Sequence, residues 1–240
     1  MTRVAILAAM ADELKPLVRG WQHERRNGVD LWRWGYDEGE WVAACAGAGV
    51  GAVTRAFAEV EKDGLISFVF STGWAGALRR DIAAGKSYAI SGVVDSLTGE
   101  RFSAALWSEE RLLVTSPKVA NKVEKRRLAS TYNAALVDME AAAVARLASM
   151  RGIPFYCLKG VSDAFDDNLP DFNRFIATSG QFQLAQFIVF CLFRPGYWPS
   201  LMRMGENSSK AAKAIRGSLL EILDGTGVIR KRNGYPNRKR

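Results

Sequence analysis

Residues 134–163 read AALVDMEAAAVARLASMRGIPFYCLKGVSD, and the change of pattern along them decides the fold class. Ala134 to Asp138 is a short apolar run of strand type. Met139 to Met150 is rich in residues that favour a helix, and Gly152 followed by Pro154 supplies a stop. Phe155 to Val161 is a second apolar strand, which runs into the polar pair Ser162-Asp163. A strand, a helix and a strand in succession belong to a mainly parallel sheet covered on both faces. Glu140 at the helix start and Asp163 at the strand's carboxyl end then lie where an open α/β sheet presents groups to a ligand crevice.

The same alternation continues on either side. Thr2 to Ala8 is β-prone, and Met10 to Arg19, with Leu14, Leu17 and Val18 on one stripe, reads as a helix. Leu31 to Tyr36 and Trp41 to Ala46 form a hairpin pattern across Asp37-Glu38-Gly39-Glu40. Gly47-Ala48-Gly49-Val50-Gly51 leads into a helix over Ala52 to Lys62, Ile66 to Ser71 is a buried strand, and Thr72 to Ala77 reads as a tight turn. Lys86 to Val94 and Leu112 to Val114 are strand candidates, and Val119 to Ala129 is a charged amphipathic helix. Phe172 to Phe193 reads as one long helix and Ser208 to Leu223 as another, joined by Arg194 to Pro199. The expected architecture is a three-layer α/β/α fold with a mixed, mainly parallel central sheet. Residues 1–193 form its body, and 194–240 an extension that is helical and then disordered.

A chain of 240 residues, 48% hydrophobic, can bury the core of one ordinary domain. Cys45, Cys157 and Cys191 are odd in number and scattered through apolar stretches, which argues against a disulfide framework and for a reducing cytoplasm. The first residues lack the layout of a signal peptide. His23 is the only histidine, so histidine triads and multi-histidine metal sites are nearly excluded, and acid–base work falls to carboxylates. Neither a metal nor a cofactor is expected. Of 33 Lys/Arg and 25 Asp/Glu, residues 194–240 hold 11 and 3, leaving 22 and 22 for residues 1–193. The body is neutral and the tail basic.

Four blocks, in order, carry a resemblance: Ile6 to Leu14, Gly47 to Gly51, Ser71 to Gly76, and Val137-Asp138-Met139-Glu140 with Val161-Ser162-Asp163. Together they resemble the nucleoside phosphorylase superfamily, and within it the methylthioadenosine/S-adenosylhomocysteine nucleosidases. The resemblance implies a nucleoside phosphorylase-like fold, a catalytic domain over 1–193, a small-molecule nucleoside as ligand, a homodimer, and cleavage of the bond between ribose and purine. It further implies that Asp163 protonates or hydrogen-bonds the leaving base, the acid role needing a pKa raised by an apolar pocket, while Ser162 orients it. Glu140 would accept from a ribose hydroxyl with Met139 against the sugar, and Glu13 would be general base for water. Trp74, Ala75, Gly76, Val119 and Lys159 fall on substrate-binding positions.

There are departures. Trp74 stands where the nucleosidases commonly carry Ser, Lys159 where an Arg is usual, and Pro117, Val119 and Ala120 where the base-binding segment has an acidic-aromatic pattern. The acidic Ala8 to Glu13 segment, in place of a phosphate loop bearing glycine and arginine, suits water rather than phosphate as nucleophile. Taken singly, each acid also has an ordinary reading: Glu140 as a helix-start acid worth about 0.3–1 kcal/mol through the helix dipole, Asp163 as a turn residue, Glu13 as a solvated helix face. Gly47, Gly49 and Gly51 read as a plain strand-to-helix turn in preference to a loop whose backbone closely approaches the ligand.

Phe187 to Phe193, with Tyr197, Trp198, Arg194 and Arg203 close by, is too short to span a bilayer. It reads either as core or dimer packing, or as a peripheral membrane contact through 187–240 aided by Arg230-Lys231-Arg232 and Arg238-Lys239-Arg240. The latter is similar to what an adenosylhopane-type nucleosidase of hopanoid lipid biosynthesis would need. A phosphate-dependent phosphorylase and a non-catalytic protein that binds nucleosides or nucleic acid are the competing functional classes. The tail has only Tyr235 as an interleaved aromatic, which disfavours nucleic acid.

Overall fold

Val4, Ile6 and Ala8 alternate with Ala5 and Leu7 along the first strand, and both sets are buried, as a strand covered on both faces requires. The computed structural model describes residues 2–36, 39–105, 110–167, 169–177 and 182–225. In chain order these form β1 (Thr2–Ala8), α1 (Ala11–Leu14), β2 (Gln22–Arg26), β3 (Val29–Tyr36), β4 (Gly39–Cys45) and α2 (Val50–Glu61). Next come β5 (Phe68–Ser71), β6 (Trp74–Ala77), β7 (Ser87–Ile90), β8 (Gly92–Asp95), β9 (Arg101–Ser103) and β10 (Leu112–Thr115). The remainder is α3 (Lys122–Tyr132), β11 (Leu136–Asp138), α4 (Ala141–Arg151), β12 (Phe155–Asp163), α5 (Leu184–Leu192) and α6 (Trp198–Gly225), with 3-10 turns at Phe172–Phe175 and Pro195–Tyr197.

The strands make one mixed sheet in the order β2-β3-β4-β1-β5-β12-β6-β11-β10-β8-β9, with β7 also paired to β12. Its centre, β4-β1-β5-β12-β6, is parallel throughout. Antiparallel pairing joins β6 to β11 and builds both ends. One face carries Ala5 and Leu7 against α2 and α4, through Ala56, Phe57, Val60, Val144 and Ala148. The other carries Val4, Ile6 and Leu158 against Leu14, Leu17, Ile215 and Leu219, the last two from α6. The expected three-layer α/β/α arrangement is therefore present. Gly160 fixes the close approach of α6: a Cβ there would meet Ala211 Cβ at 2.8 Å and Ile215 Cδ1 at 2.9 Å.

Several local expectations are corrected. The helix over Met10 to Arg19 is only the single turn α1 followed by turns, because Pro16 has no N–H to continue the ladder and its ring opposes the preceding carbonyls. Thr72 to Ala77 contains β6 rather than a simple turn; β12 and β11 pair with it on either side. Lys86 to Val94 is split into β7 and β8 at Ser91, and α3 starts at Lys122, after Asn121, whose side chain accepts from the N–H groups of Val123 and Glu124. Phe172 to Phe193 is a 3-10 turn, an isolated bridge between Ile176 and Phe182, and then α5. Phe172, Phe175, Phe182, Phe187 and Phe190 gather into one aromatic cluster, which a straight helix would not allow. The hairpin tip Asp37-Glu38 and the basic residues of 226–240 lie outside the described residues.

Candidate active site

Glu13 enters the site from α1, buried at 4% exposure beneath the carboxyl ends of β1 and β5. Its Oε2 accepts from the Ala9 and Met10 N–H groups at 2.8 Å each, and Oε1 from the Trp74 N–H at 2.8 Å. Burial raises its pKa, against the pull of these backbone donors and of Lys159.

Glu140 lies two residues past β11, immediately before α4, but its side chain does not cap that helix. It crosses to the glycine loop, where Oε1 accepts from the Gly49 N–H at 2.6 Å. Gly49 has φ +90°, which glycine adopts without steric cost. Burial, then the charge of Asp138, pushes the Glu140 carboxyl up to about 8, although Lys159 and the Gly49 N–H oppose the shift. The cap on α4 comes instead from Asp138, which accepts from the Ala141 N–H at 2.9 Å and from Thr115 Oγ1 at 2.7 Å.

Asp163 is aimed by a bulge. Val161 pairs with Ala75 and Asp163 with the next residue, Gly76, so Ser162 is the extra residue of β12. Ser162 Oγ donates to Asp163 Oδ1 at 2.6 Å. Asp163 Oδ2 pairs with the ammonium of Lys125, which also donates to the Ala164 carbonyl at 2.7 Å. The wall around Asp163 is therefore ionic on one side rather than wholly apolar.

Glu13, Glu140 and Asp163 line one cavity of about 700 Å³ together with Met139, Trp74, Ala75, Gly76, Val119 and Ser162. Lys159 is apart: wholly buried, it lies beneath the cavity and not in its lining. Its Nζ donates to the Thr72 carbonyl at 2.8 Å and pairs with Asp138 at 2.9 Å. Burial alone would lower its pKa, but Asp138, then Cys157 and Glu140, overrule that and raise it. Lys159 thus holds charge under the two glutamates. Trp74 donates from Nε1 to the Ser208 carbonyl at 3.1 Å, tying α6 over the cavity.

Sequence reasoning missed Lys125, Asp138 and Asn173. The Asn173 side chain accepts from the Val119 N–H at 2.8 Å and donates to the Val119 carbonyl at 3.0 Å, which pins the 3-10 turn to the wall. Lys125 has a readable signal, since it shares a face with Leu128 three residues on, and these two are the buried residues of α3. Asp138 sits three residues before the first α4 N–H it caps, an ordinary cap spacing. Asn173 has no comparable local signal.

The sequence model of the phosphorylase superfamily matches residues 106–189. No curated protein matches the sequence. Among solved structures, the chain is similar to the 5′-methylthioadenosine/S-adenosylhomocysteine nucleosidase of Helicobacter pylori with butyl-thio-DADMe-Immucillin-A, at 18% identity and TM-score 0.70, over 94% of this chain and 99% of that one. It is similar to the 5′-methylthioadenosine nucleosidase of Arabidopsis thaliana in apo form, at 18% identity and TM-score 0.71, over 97% and 98%. It is likewise similar to the futalosine hydrolase of Helicobacter pylori, at 17% identity and TM-score 0.69, over 93% and 98%. Structural likeness over most of the chain and a sequence match confined to residues 106–189 agree on one point: the chain has the fold of these nucleosidase structures, and that segment is similar to the phosphorylase superfamily.

Proposed function

We propose that the chain is a purine nucleosidase that hydrolyses the N-glycosidic bond of a 5′-substituted adenosine and releases adenine. The observation that carries this reading is the convergence of Glu13, Glu140 and Asp163 on one cavity. When the bond from the sugar to the purine breaks, its electron pair leaves with the base and the sugar becomes cationic. Asp163, oriented by Ser162, serves the leaving purine. Glu140 accepts from a ribose hydroxyl beside the cation, with Met139 against the sugar. Glu13 takes a proton from the water whose oxygen bonds to the anomeric carbon.

Water is favoured over phosphate because the Ala9, Met10 and Trp74 N–H groups, donors suited to an anion, are already bound by the Glu13 carboxylate. A carboxylate in that place repels phosphate and activates water. The H. pylori and A. thaliana structures named above are of nucleosidases and a hydrolase, which supports the same choice.

A second reading concerns the 5′ substituent. Beyond the carboxylates the cavity is lined by Leu169, Phe172, Ile176, Phe182, Phe187 and Met204, an apolar run suited to a hydrocarbon of adenosylhopane type. The outer side of the same region exposes Ile188, Val189, Leu192, Phe193, Trp198 and Met202, which supports a peripheral membrane contact. No helix among the described residues is long and apolar enough to cross a membrane.

The test is chromatographic detection of free base after incubation with methylthioadenosine, S-adenosylhomocysteine, adenosine and inosine. Adenine should appear from the 5′-substituted adenosines, and Glu13→Gln and Asp163→Asn should each lower kcat by roughly 10²–10⁴-fold. Base release by Asp163→Asn at the parental rate contradicts the assignment.

A further inference from the structure

We propose that Lys125 is the positioning residue and proton source behind Asp163, a role that rests on the nucleosidase reading above. Lys125 is 2% exposed, although it belongs to a helix whose neighbours Glu124, Arg126 and Arg127 face solvent. A lysine is held in the interior only with partners for its charge. Here the partners are Asp163 Oδ2 and the Ala164 carbonyl, and the side chain lines the same cavity as the three acids.

Two features show a site built around this pair. Gly76 lies against it so closely that a Cβ would stand 3.0 Å from Asp163 Oδ2 and 3.2 Å from Lys125 Cε. Ser162 occupies the other carboxylate oxygen, so Oδ1 is committed to orientation and Oδ2 faces the ammonium. An aspartate between a hydroxyl and an ammonium conveys a proton from the ammonium side to a base placed before it.

The glycosidic bond breaks with its electron pair on the purine; a proton passes from Lys125 Nζ to Asp163 Oδ2, and Asp163 gives a proton to the purine's imidazole nitrogen. Water adds to the anomeric carbon and its proton goes to Glu13. Lys125 is left neutral and Glu13 protonated, and exchange with solvent restores both once the products leave. Without Lys125, no donor stands behind Asp163 Oδ2 to replace the proton passed to the purine.

The experiment compares two leaving groups. A methylthioadenosine-type nucleoside needs its base protonated, whereas 4-nitrophenyl riboside expels a phenolate that departs without a proton. Lys125→Met should lose roughly 10²–10⁴-fold in kcat on the nucleoside and keep close to the parental rate on the riboside. Equal losses on both substrates, or no loss on the nucleoside, overturn the proposal. If circular dichroism shows Lys125→Met unfolded, Lys125→Gln, which keeps an N–H toward Asp163 without the charge, is read on the same pair. If the parent cleaves the nucleoside alone, a fall in kcat with KM kept supports the role and a matching rise in KM overturns it. A parent that releases no base from any nucleoside refutes the nucleosidase reading instead.

Discussion

Gly73 lies so close to the Glu13 carboxyl that a Cβ on it would stand 2.9 Å from the carboxyl carbon and from each oxygen. Its φ of +109° is also one that L side chains rarely adopt. Gly73→Ala should therefore displace Glu13 and strain the chain together. A stability loss of about 1–3 kcal/mol in urea unfolding is expected, with kcat falling further than that loss explains. Parental kcat in this variant would show that the placement of Glu13 is not critical.

Gly160 performs a similar service for α6, and Gly160→Ala drives a methyl into Ala211 and Ile215. Overpacking of this kind costs about 1–3 kcal/mol. Because α6 also carries Ser208, the partner of Trp74, and lines the cavity, KM should rise as well. Unchanged KM with reduced stability would separate the helix from the substrate wall.

The Lys159–Asp138 pair is buried on both sides, and Asp138 also holds the start of α4. Lys159→Met leaves Asp138 as an uncompensated charge, and breaking such a pair costs about 3–5 kcal/mol. Urea unfolding measures this directly. A cost under about 1 kcal/mol, the range of an exposed pair, would contradict the burial of the pair.

The two raised glutamates set a pH dependence. Glu140 titrates at about 8 in the folded chain against 4.5 as its ordinary value, so folding favours its protonated form. Its contribution to stability is fully present below about pH 4.5 and is lost as pH rises through about 8. Glu13 is shifted in the same direction. The unliganded parent should thus lose stability between mildly acidic pH and pH 8, and Glu140→Gln should flatten that decline. Activity should move the opposite way, rising with pH as Glu13 becomes the ionised base. A parent whose stability climbs over that range would contradict the assigned burial of Glu140.

Much of the fold was legible because apolar runs such as Val4 to Ala8 and Phe155 to Leu158 are buried on both faces of a parallel sheet, and because Gly152 ends α4 in the left-handed conformation with φ +65°. The glycines of Ser71 to Gly76 misled: they look like turn residues, yet Gly73 and Gly76 are small to admit the Glu13 carboxylate and the Lys125–Asp163 pair inside a strand region. β2 went unseen because it is polar and exposed along nearly its whole length, though the Asn27-Gly28 turn, with φ of +52° and +76°, is the ordinary hairpin signal. Glu13, Glu140 and Asp163 came from ordered motifs, and they share one cavity. Lys125 and Asn173 did not, because their partners at Asp163 and Val119 lie 38 and 54 residues away. The helical spacing of Lys125 and Leu128 marks a buried face, but nothing in the local pattern of Lys125 or Asn173 names its distant partner.

Under the proposed reaction, water activated at Glu13 would replace the purine and leave an isotopic trace on the sugar. Incubating the parent with methylthioadenosine in phosphate-free buffer made with ¹⁸O-water reads that trace. Free adenine with one ¹⁸O on the released sugar is the expected result. No base release, or release that requires added phosphate and leaves the sugar unlabelled, would contradict hydrolysis at this site.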